Sequence, residues 1–395
     1  MLDLRNAYHA LLGSEAQLAQ CRQAHSVADL LAVLRRLWGA DGHSDAQLLQ
    51  ALDTLNREDV PADVAAGMAG HWLPRSYHVR SQRLAWCLPD GAPTEPFHDE
   101  YLSRCWQSTP LNQLVTPRTS LQALAACAQR VPRAQPAGFI FHLSRCGSTL
   151  LSGCLSELDG AAVFSESPVL TEILVDPALS PLEKRAHVQC LLDLKAILFP
   201  GRRVVVKWNA WDIFHAQLLR SAYPTVPAVT LVRDPVEILA SHQAQAGRHM
   251  SGDPSLAAVA PVFGKGAGGS VLEHRIGVLQ GLMQGLHDLT AEPGVACIDY
   301  RQLDGGTVRQ VAAMFGLRCD LEGQRRIAQR MQRNAKLPGI RFEPDGARKA
   351  AVFDAAQSTA IARRLSSLHR ALLAATGPVA PAAHAEPERE VADVR

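Results

Sequence analysis

The residue types best suited to chemistry lie close together in GFIFHLSRCGSTLLSGCLSEL, Gly138 to Leu158. Arg145, Cys146, Gly147, Ser148 and Thr149 share one short turn, and together they suit an anion. Glycine lets the backbone approach, two hydroxyls donate, and arginine adds a fixed positive fork. Gly138 to Leu143 is an apolar run of strand length, whereas Leu150, Leu151, Cys154, Leu155 and Leu158 recur at helical spacing. The spacing predicts a strand, a tight loop and a helix, which aims backbone N–H groups at the point where the helix dipole is positive. A loop serving a metal-bound triphosphate would read GxxxxGK[ST]. Here Ser148 follows the glycine directly, so the expectation is a phosphate cradle that is not built around a metal.

The elements that must hold this loop follow from Gly138 onward. Strand-like and helix-like segments alternate, which predicts an α/β unit, a parallel sheet covered by helices. Ala161 to Phe164 is a brief strand leading to Ser165 and Glu166, and Ser167-Pro168 opens a helix. A helix from Pro181 to about Leu198 precedes the strand Arg203 to Lys207. Trp211 to Ser221 is helical, Ala228 to Val232 is a strand with Arg233 at its tip, and Asp234-Pro235 cap the helix Val236 to Ala246. Gly247 to Gly269 is longer than most ordered connections and is a binding-loop candidate. Its GKGAGG follows no strand and is expected to be a linker. Val295 to Ile298, Thr307 to Phe315 and Asp354 to about Ala374 complete the pattern as strand, helix and helix.

Three regions result. Residues 1–132 form a mainly helical N-terminal domain, with a cap at Ser26, a capping box at Ser44 and Gln47, and one strand at Leu84 to Leu88. Residues 133–376 form the α/β domain. Residues 377–395, rich in Ala, Pro and Glu, are expected to be disordered.

Bulk composition narrows the function. With 395 residues and a net charge of +2, the chain has no concentrated basic stripe to suggest a nucleic-acid surface. No apolar run approaches the length of a membrane span, and MLDLRNAYHALL carries charge where a signal peptide needs apolar residues, so the expectation is no membrane partner and a cytoplasmic location. Nine cysteines are scattered without a CxxC pair. They are expected to be buried hydrophobes rather than zinc ligands or a disulfide frame.

Taken together, LSRCGSTLL, VVVKWNAW and LVRDPVEILASH, followed by DYRQL, resemble the motifs of sulfotransferases that use 3′-phosphoadenosine 5′-phosphosulfate (PAPS). The resemblance spans roughly Gly138 to Leu317 and implies an α/β phosphate-loop fold. It also implies transfer of a sulfuryl group from PAPS, as co-substrate and without a metal, to a hydroxyl or amine acceptor. The loop Arg145, Cys146, Gly147, Ser148 and Thr149 would bind the 5′-phosphosulfate, and Arg233 and Ser241 the 3′-phosphate. Lys207 would stand near the bridging oxygen, and Arg145 and Lys207 would stabilise charge on the leaving group. The cytosolic branch has a catalytic histidine two residues after this lysine, where this chain has Asn209. Glu166, at the sheet's C-terminal edge, is therefore the candidate general base, with a salt bridge to Arg145 or Lys207 as its rival role. His142, His215 and His242 are alternative bases. Trp208 or Trp211 could stack on adenine, and Lys336 and Arg341 lie in the late basic segment that the family closes over the 3′-phosphate. An ATP-dependent phosphotransferase on the same fold and a non-catalytic nucleotide-binding protein are the competing readings. No motif sets the acceptor, a small molecule or a peptide, or the oligomeric state.

Overall fold

The computed structural model describes residues 4–257, 259–264, 269–336, 339 and 352–379. The chain begins with α1 (Leu4–Gly13), α2 (Glu15–Arg22), α3 (Val27–Trp38), α4 (Asp45–Arg57) and α5 (Ala62–Ala66). The Ser26 side chain accepts the Asp29 N–H, and Ser44 with Gln47 closes a full capping box. Strands β1 (Leu73–His78) and β2 (Arg83–Cys87) pair antiparallel, and β3 (Arg118–Ser120) joins β2 after α6 (His98–Ser108) and α7 (Pro110–Leu114). Helix α8 (Leu121–Ala128) ends this mainly helical part.

The second part alternates as its hydrophobic pattern requires. Its elements are β4 (Gly138–His142), α9 (Ser148–Ser156), β5 (Ala161–Ser165), α10 (Pro168–Val175), α11 (Pro181–Ile197), β6 (Arg203–Lys207), α12 (Ala216–Ala222), β7 (Ala228–Val232), α13 (Pro235–Ala244), α14 (Val271–Thr290), β8 (Val295–Asp299), α15 (Gly305–Met314), α16 (Leu321–Met331) and α17 (Ala355–Ala374). Trp211 to His215, expected as α-helix, belongs to a 3₁₀ turn, where the Asn209 N–H donates to the Asp212 carboxylate and the Asp212 N–H returns to the Asn209 carbonyl three residues back. The segment after Gly247 carries short 3₁₀ turns at Arg248–Met250, Pro254–Leu256 and Pro261–Phe263. Lys265 to Gly268 of its GKGAGG, Arg341, and most of the tail 377–395 lie outside the described residues.

All five strands of the main sheet are parallel, in the order β5-β6-β4-β7-β8. A parallel sheet is stable when both faces are covered, and β4, β5 and β7 are buried at every position. Alternation along β4 divides the core, with Phe139 and Phe141 facing one layer and Ile140 the other. On the Ile140 side lie Leu151 and Leu155 of α9, Val308 and Val311 of α15, and Ile327 of α16. The Phe139 side shares one continuous buried cluster with the N-terminal helices, from Tyr8 onward. Tyr77 donates to buried Asp176 across that junction at 2.6 Å, and Arg133, at the connection between the two parts, pairs with buried Asp193 at 2.8 Å. None of the described helices is long and apolar enough to cross a membrane.

The chain order changes direction around β4, with β5 and β6 on one side and β7 and β8 on the other. In such sheets ligands collect at the C-terminal edge beside the reversal. Pairing of Ser165 with Lys207, Ile140 with Lys207, and His142 with Leu231 brings the tips of β5, β6, β4 and β7 to that edge.

One buried charge in this packing gives a test. Lys195 of α11 is fully buried, with Nζ 3.1 Å from His98 Nε2 and 4.5 Å from the Phe164 ring centroid. Burial drives its ammonium from 10.5 down to about 7. Between those values the unfolded chain binds the extra proton, so this lysine adds stability as pH rises. Urea titrations across the window should show wild type gaining stability relative to Lys195→Met as pH rises, whereas a pH-independent difference would mean that Lys195 keeps its proton when folded.

Candidate active site

At the C-terminal edge of the sheet, a cleft of about 820 Å³ is lined by Arg145, Gly147, Ser148, Thr149, Glu166, Arg233 and Ser241 among others. Seven of the nine residues singled out for chemistry thus face one space. Cys146 does not, because its thiol is buried against Ile140 and Leu151, and burial pushes it up to about 11. Its share in an anion site is confined to the backbone. Lys207 is also fully buried, behind Thr149 and Glu166.

The loop between β4 and α9 is held in an unusual backbone conformation. Ser144 and Arg145 have φ of 65° and 52°, and Gly147 has φ of 87°. Side chains rarely tolerate that region, and such outliers concentrate at working sites. The Ser144 N–H donates to His142 Nδ1 at 2.9 Å, which fixes the turn and leaves His142 Nε2 as the N–H of the neutral ring. At Gly147 a Cβ would come within 2.8 Å of Tyr300 and 2.9 Å of Leu303. Gly147 is the N-cap of α9 and supplies no side-chain acceptor, so the first N–H groups of the helix stay available to a ligand.

Glu166 sits where β5 runs out. Its N–H continues the ladder to the Lys207 carbonyl at 2.7 Å, and its φ is 56°. The carboxylate receives Lys207 Nζ at 2.6 Å and lies 3.5 Å from His142 Nε2. Lys207 Nζ also donates to Thr149 Oγ1 at 3.1 Å. Burial by itself would raise Glu166, but the ammonium of Lys207 and the His142 ring outweigh it and hold the carboxyl well below the usual range. The salt bridge to Lys207 is therefore present, and in this arrangement Glu166 is a weaker base than a desolvated carboxylate would be. His142 is neutral in character, since burial lowers its pKa.

Arg233, at the tip of β7, reaches back to the loop. Its Nη1 donates to the Arg145 carbonyl at 3.1 Å, its Nε donates to Glu237 at 2.8 Å, and Nη2 pairs with the same carboxylate. The guanidinium lies 4.1 Å above the Tyr300 ring. Asp234 caps α13 through the N–H groups of Val236 and Glu237. Ser241 donates to the Glu237 carbonyl at 2.9 Å and borders the cleft.

Other candidates divide cleanly. Trp208 is core, packed on Phe139 and Phe141, whereas Trp211 borders the cleft. Asn209 points away: its amide donates to Thr171 Oγ1 at 2.7 Å, and its N–H donates to Asp212 at 2.9 Å. It serves the 3₁₀ turn and does no proton chemistry in the cleft. His142 and His242 line the cleft, His215 does not, and Lys336 does. Sequence reasoning missed His249, in the long loop, and Phe97, in the N-terminal part, both of which face this space. The Phe97 ring lies 5.1 Å from Lys207 Nζ and 5.4 Å from Lys336 Nζ. Loop length pointed to the segment containing His249, but no local pattern marks Phe97. The described lining residues include six Arg or Lys side chains against one carboxylate, Glu166.

No protein-family model matches the chain, and no curated protein does. Similar solved structures include a sulfotransferase domain from the curacin biosynthetic pathway, 15% identical, with 60% of this chain and 99% of that one covered at a TM-score of 0.36. A sulfotransferase from Mycobacterium tuberculosis is 15% identical over 53% of this chain and 76% of that one, at a TM-score of 0.38. A sulfotransferase from Alicyclobacillus acidocaldarius is 16% identical over 60% of this chain and 96% of that one, at 0.34. With overlap this partial, the functional reading rests on the residues of this chain.

The pairing of Lys207 with Glu166 can be measured directly. Lys207→Met should cost about 3 kcal/mol by leaving a part-buried carboxylate without its cation, and adding Glu166→Gln should recover most of that loss. Strictly additive losses in chemical denaturation would show that the two side chains do not act as a pair.

Proposed function

We propose that this chain transfers a sulfuryl group from PAPS to a hydroxyl group of an acceptor. One observation carries the reading: two cationic sockets border one cleft and are joined by the Arg233 bond to the Arg145 carbonyl. The first is the start of α9 with Arg145, Ser148 and Thr149, suited to a 5′-phosphosulfate. The second is Arg233 with Ser241, suited to a 3′-phosphate. Guanidinium has five N–H donors, so Arg233 keeps donors for a phosphate after serving Glu237 and the loop carbonyl. Arg233, Arg248 and Arg301 are paired with carboxylates behind the lining, and the remaining basic side chains Arg145, Arg333 and Lys336 favour an anionic ligand.

In the proposed step the acceptor oxygen attacks sulfur in line, and a new S–O bond forms as the bond from sulfur to the bridging phosphate oxygen breaks. The hydroxyl proton passes to Glu166, and the electron pair stays on the departing phosphate, giving 3′-phosphoadenosine 5′-phosphate (PAP). Lys207, Arg145 and the first N–H groups of α9 stabilise that charge. Lys207 couples the two events. While it pairs with Glu166 the carboxylate is a poor base, and movement of its ammonium toward the leaving oxygen releases Glu166 to take the proton.

Two variants test the assignment. Arg233→Ala should weaken PAP binding about 10- to 100-fold more than it weakens adenosine 5′-phosphate binding, since the 3′-phosphate meets this residue and the 5′ socket loses only the bond to the Arg145 carbonyl. Equal losses for both nucleotides would remove Arg233 from the 3′-phosphate site. Glu166→Gln should lower kcat for sulfate transfer from labelled PAPS by about 10²- to 10⁴-fold with PAP affinity retained. Undiminished turnover would place the base elsewhere.

A further inference from the structure

The cleft extends beyond its phosphate sockets into a corner made by Trp211, His242 and His249. His249 is 4% exposed and His242 is fully buried, and the two rings meet edge to face at 5.2 Å. His249 also lies 5.4 Å from Trp211. A Cβ on Gly247 would come within 3.0 Å of the His249 ring, so the glycine lets the loop fold back on the pair. The Gly247 N–H donates to His242 Nδ1 at 3.2 Å.

These rings hold an unusual number of idle polar atoms. Both nitrogens of His249, Nε2 of His242 and Nε1 of Trp211 are buried without a protein hydrogen-bond partner. An unmade bond at such a group costs about 1–3 kcal/mol, so buried polar atoms are almost always paired. Four on three touching side chains beside a catalytic carboxylate mark a surface shaped for a ligand's polar groups.

The chemistry of the corner limits that ligand. Burial pushes His242 and His249 down to about 3, so each neutral ring offers one N–H donor and one lone pair. The nearest loop cation, Arg248, is taken by Glu172 at 3.0 Å and Asp253 at 2.7 Å. Arg145, which acts on both imidazoles, donates to the Gln245 carbonyl at 2.9 Å and in the proposed reading serves the donor's phosphosulfate, so a carboxylate would compete with the donor for it, and an ammonium would face a basic cleft. A neutral hydroxyl can donate to one imidazole nitrogen and accept from another, while a ring carrying it lies on Trp211.

We propose that Trp211, His242 and His249 form the acceptor subsite, which selects an uncharged, hydroxyl-bearing ring and turns its oxygen toward Glu166. The assignment rests on the sulfotransferase reading for what happens to the hydroxyl, but not for its binding. His249 is the specificity-determining residue, through hydrogen bonding to the acceptor. A phenol and a neutral sugar share the required chemistry, and the experiment separates them.

The test uses the full chain and calorimetric titration of phenol, methyl glucoside, para-hydroxybenzoate and tyramine, each with and without saturating PAP, alongside acceptor KM and kcat for sulfate transfer. Phenol or methyl glucoside should bind at least about tenfold more tightly than para-hydroxybenzoate and tyramine. His249→Ala should raise KM for the preferred acceptor by about tenfold or more, with kcat and PAP affinity changed less than about threefold, and His249→Gln should restore part of the loss by supplying an amide. Unchanged PAP affinity also reports a folded variant. Equal binding of neutral and charged rings, or an acceptor affinity indifferent to His249→Ala, overturns the subsite. Failure of wild type to bind PAP overturns the donor assignment instead, and acceptor titration without PAP still decides the subsite.

Discussion

The site is organised by one interaction, the ammonium of Lys207 held out of water between Glu166 and Thr149. A fully buried cation without partners would be prohibitively costly, so the two oxygens that receive it must be fixed in place. Thr149 is fixed by α9, and Glu166 by the bond from its N–H to the Lys207 carbonyl. That bond carries the end of β5 into a left-handed residue. The loop after β4, the end of β5 and the end of β6 therefore cannot move independently. Any ligand that draws Lys207 away changes the proton affinity of Glu166 at once, which ties this carboxylate to the occupancy of the loop.

Around this pair the molecule divides its labour by sheet face. Helices α9, α15 and α16 cover the Ile140 side and set the loop, with Tyr300 and Leu303 enforcing glycine at position 147. The opposite face shares its core with the N-terminal helices, and the contacts Tyr77 to Asp176 and His98 to Lys195 join the two. Phe97 carries that arrangement to the cleft, between two lysines. The N-terminal part thus builds a wall of the site as well as the core behind it.

Much of this could be read from local pattern. An all-apolar strand followed by Arg-Cys-Gly-Ser-Thr and a helical stripe gave the cradle, because every determinant lies within about twenty residues. Asp234 as cap and Arg233 at a strand tip followed from Asp-Pro after an apolar run. Other features depend on contacts distant in sequence. Left-handed φ at Ser144 and Glu166 goes with hydrogen bonds to His142 and Lys207, and at Arg145 with the bond its carbonyl accepts from Arg233, not with residue type. Trp208 and Trp211 are near neighbours with opposite fates, because the end of β6 turns one into the core and the 3₁₀ turn presents the other to the cleft. Asn209, where a histidine base would stand in the cytosolic sulfotransferases, is held away from the cleft by its bonds to Thr171 and Asp212 at the start of that turn.

The most direct measurement of the central claim is the affinity of the unmodified chain for PAP against ATP, by calorimetry with and without Mg²⁺. Two sockets on one cleft predict that PAP binds at least about tenfold more tightly than ATP and that Mg²⁺ does not alter its affinity. Preference for ATP that depends on Mg²⁺, or no discrimination between the two nucleotides, would contradict the account.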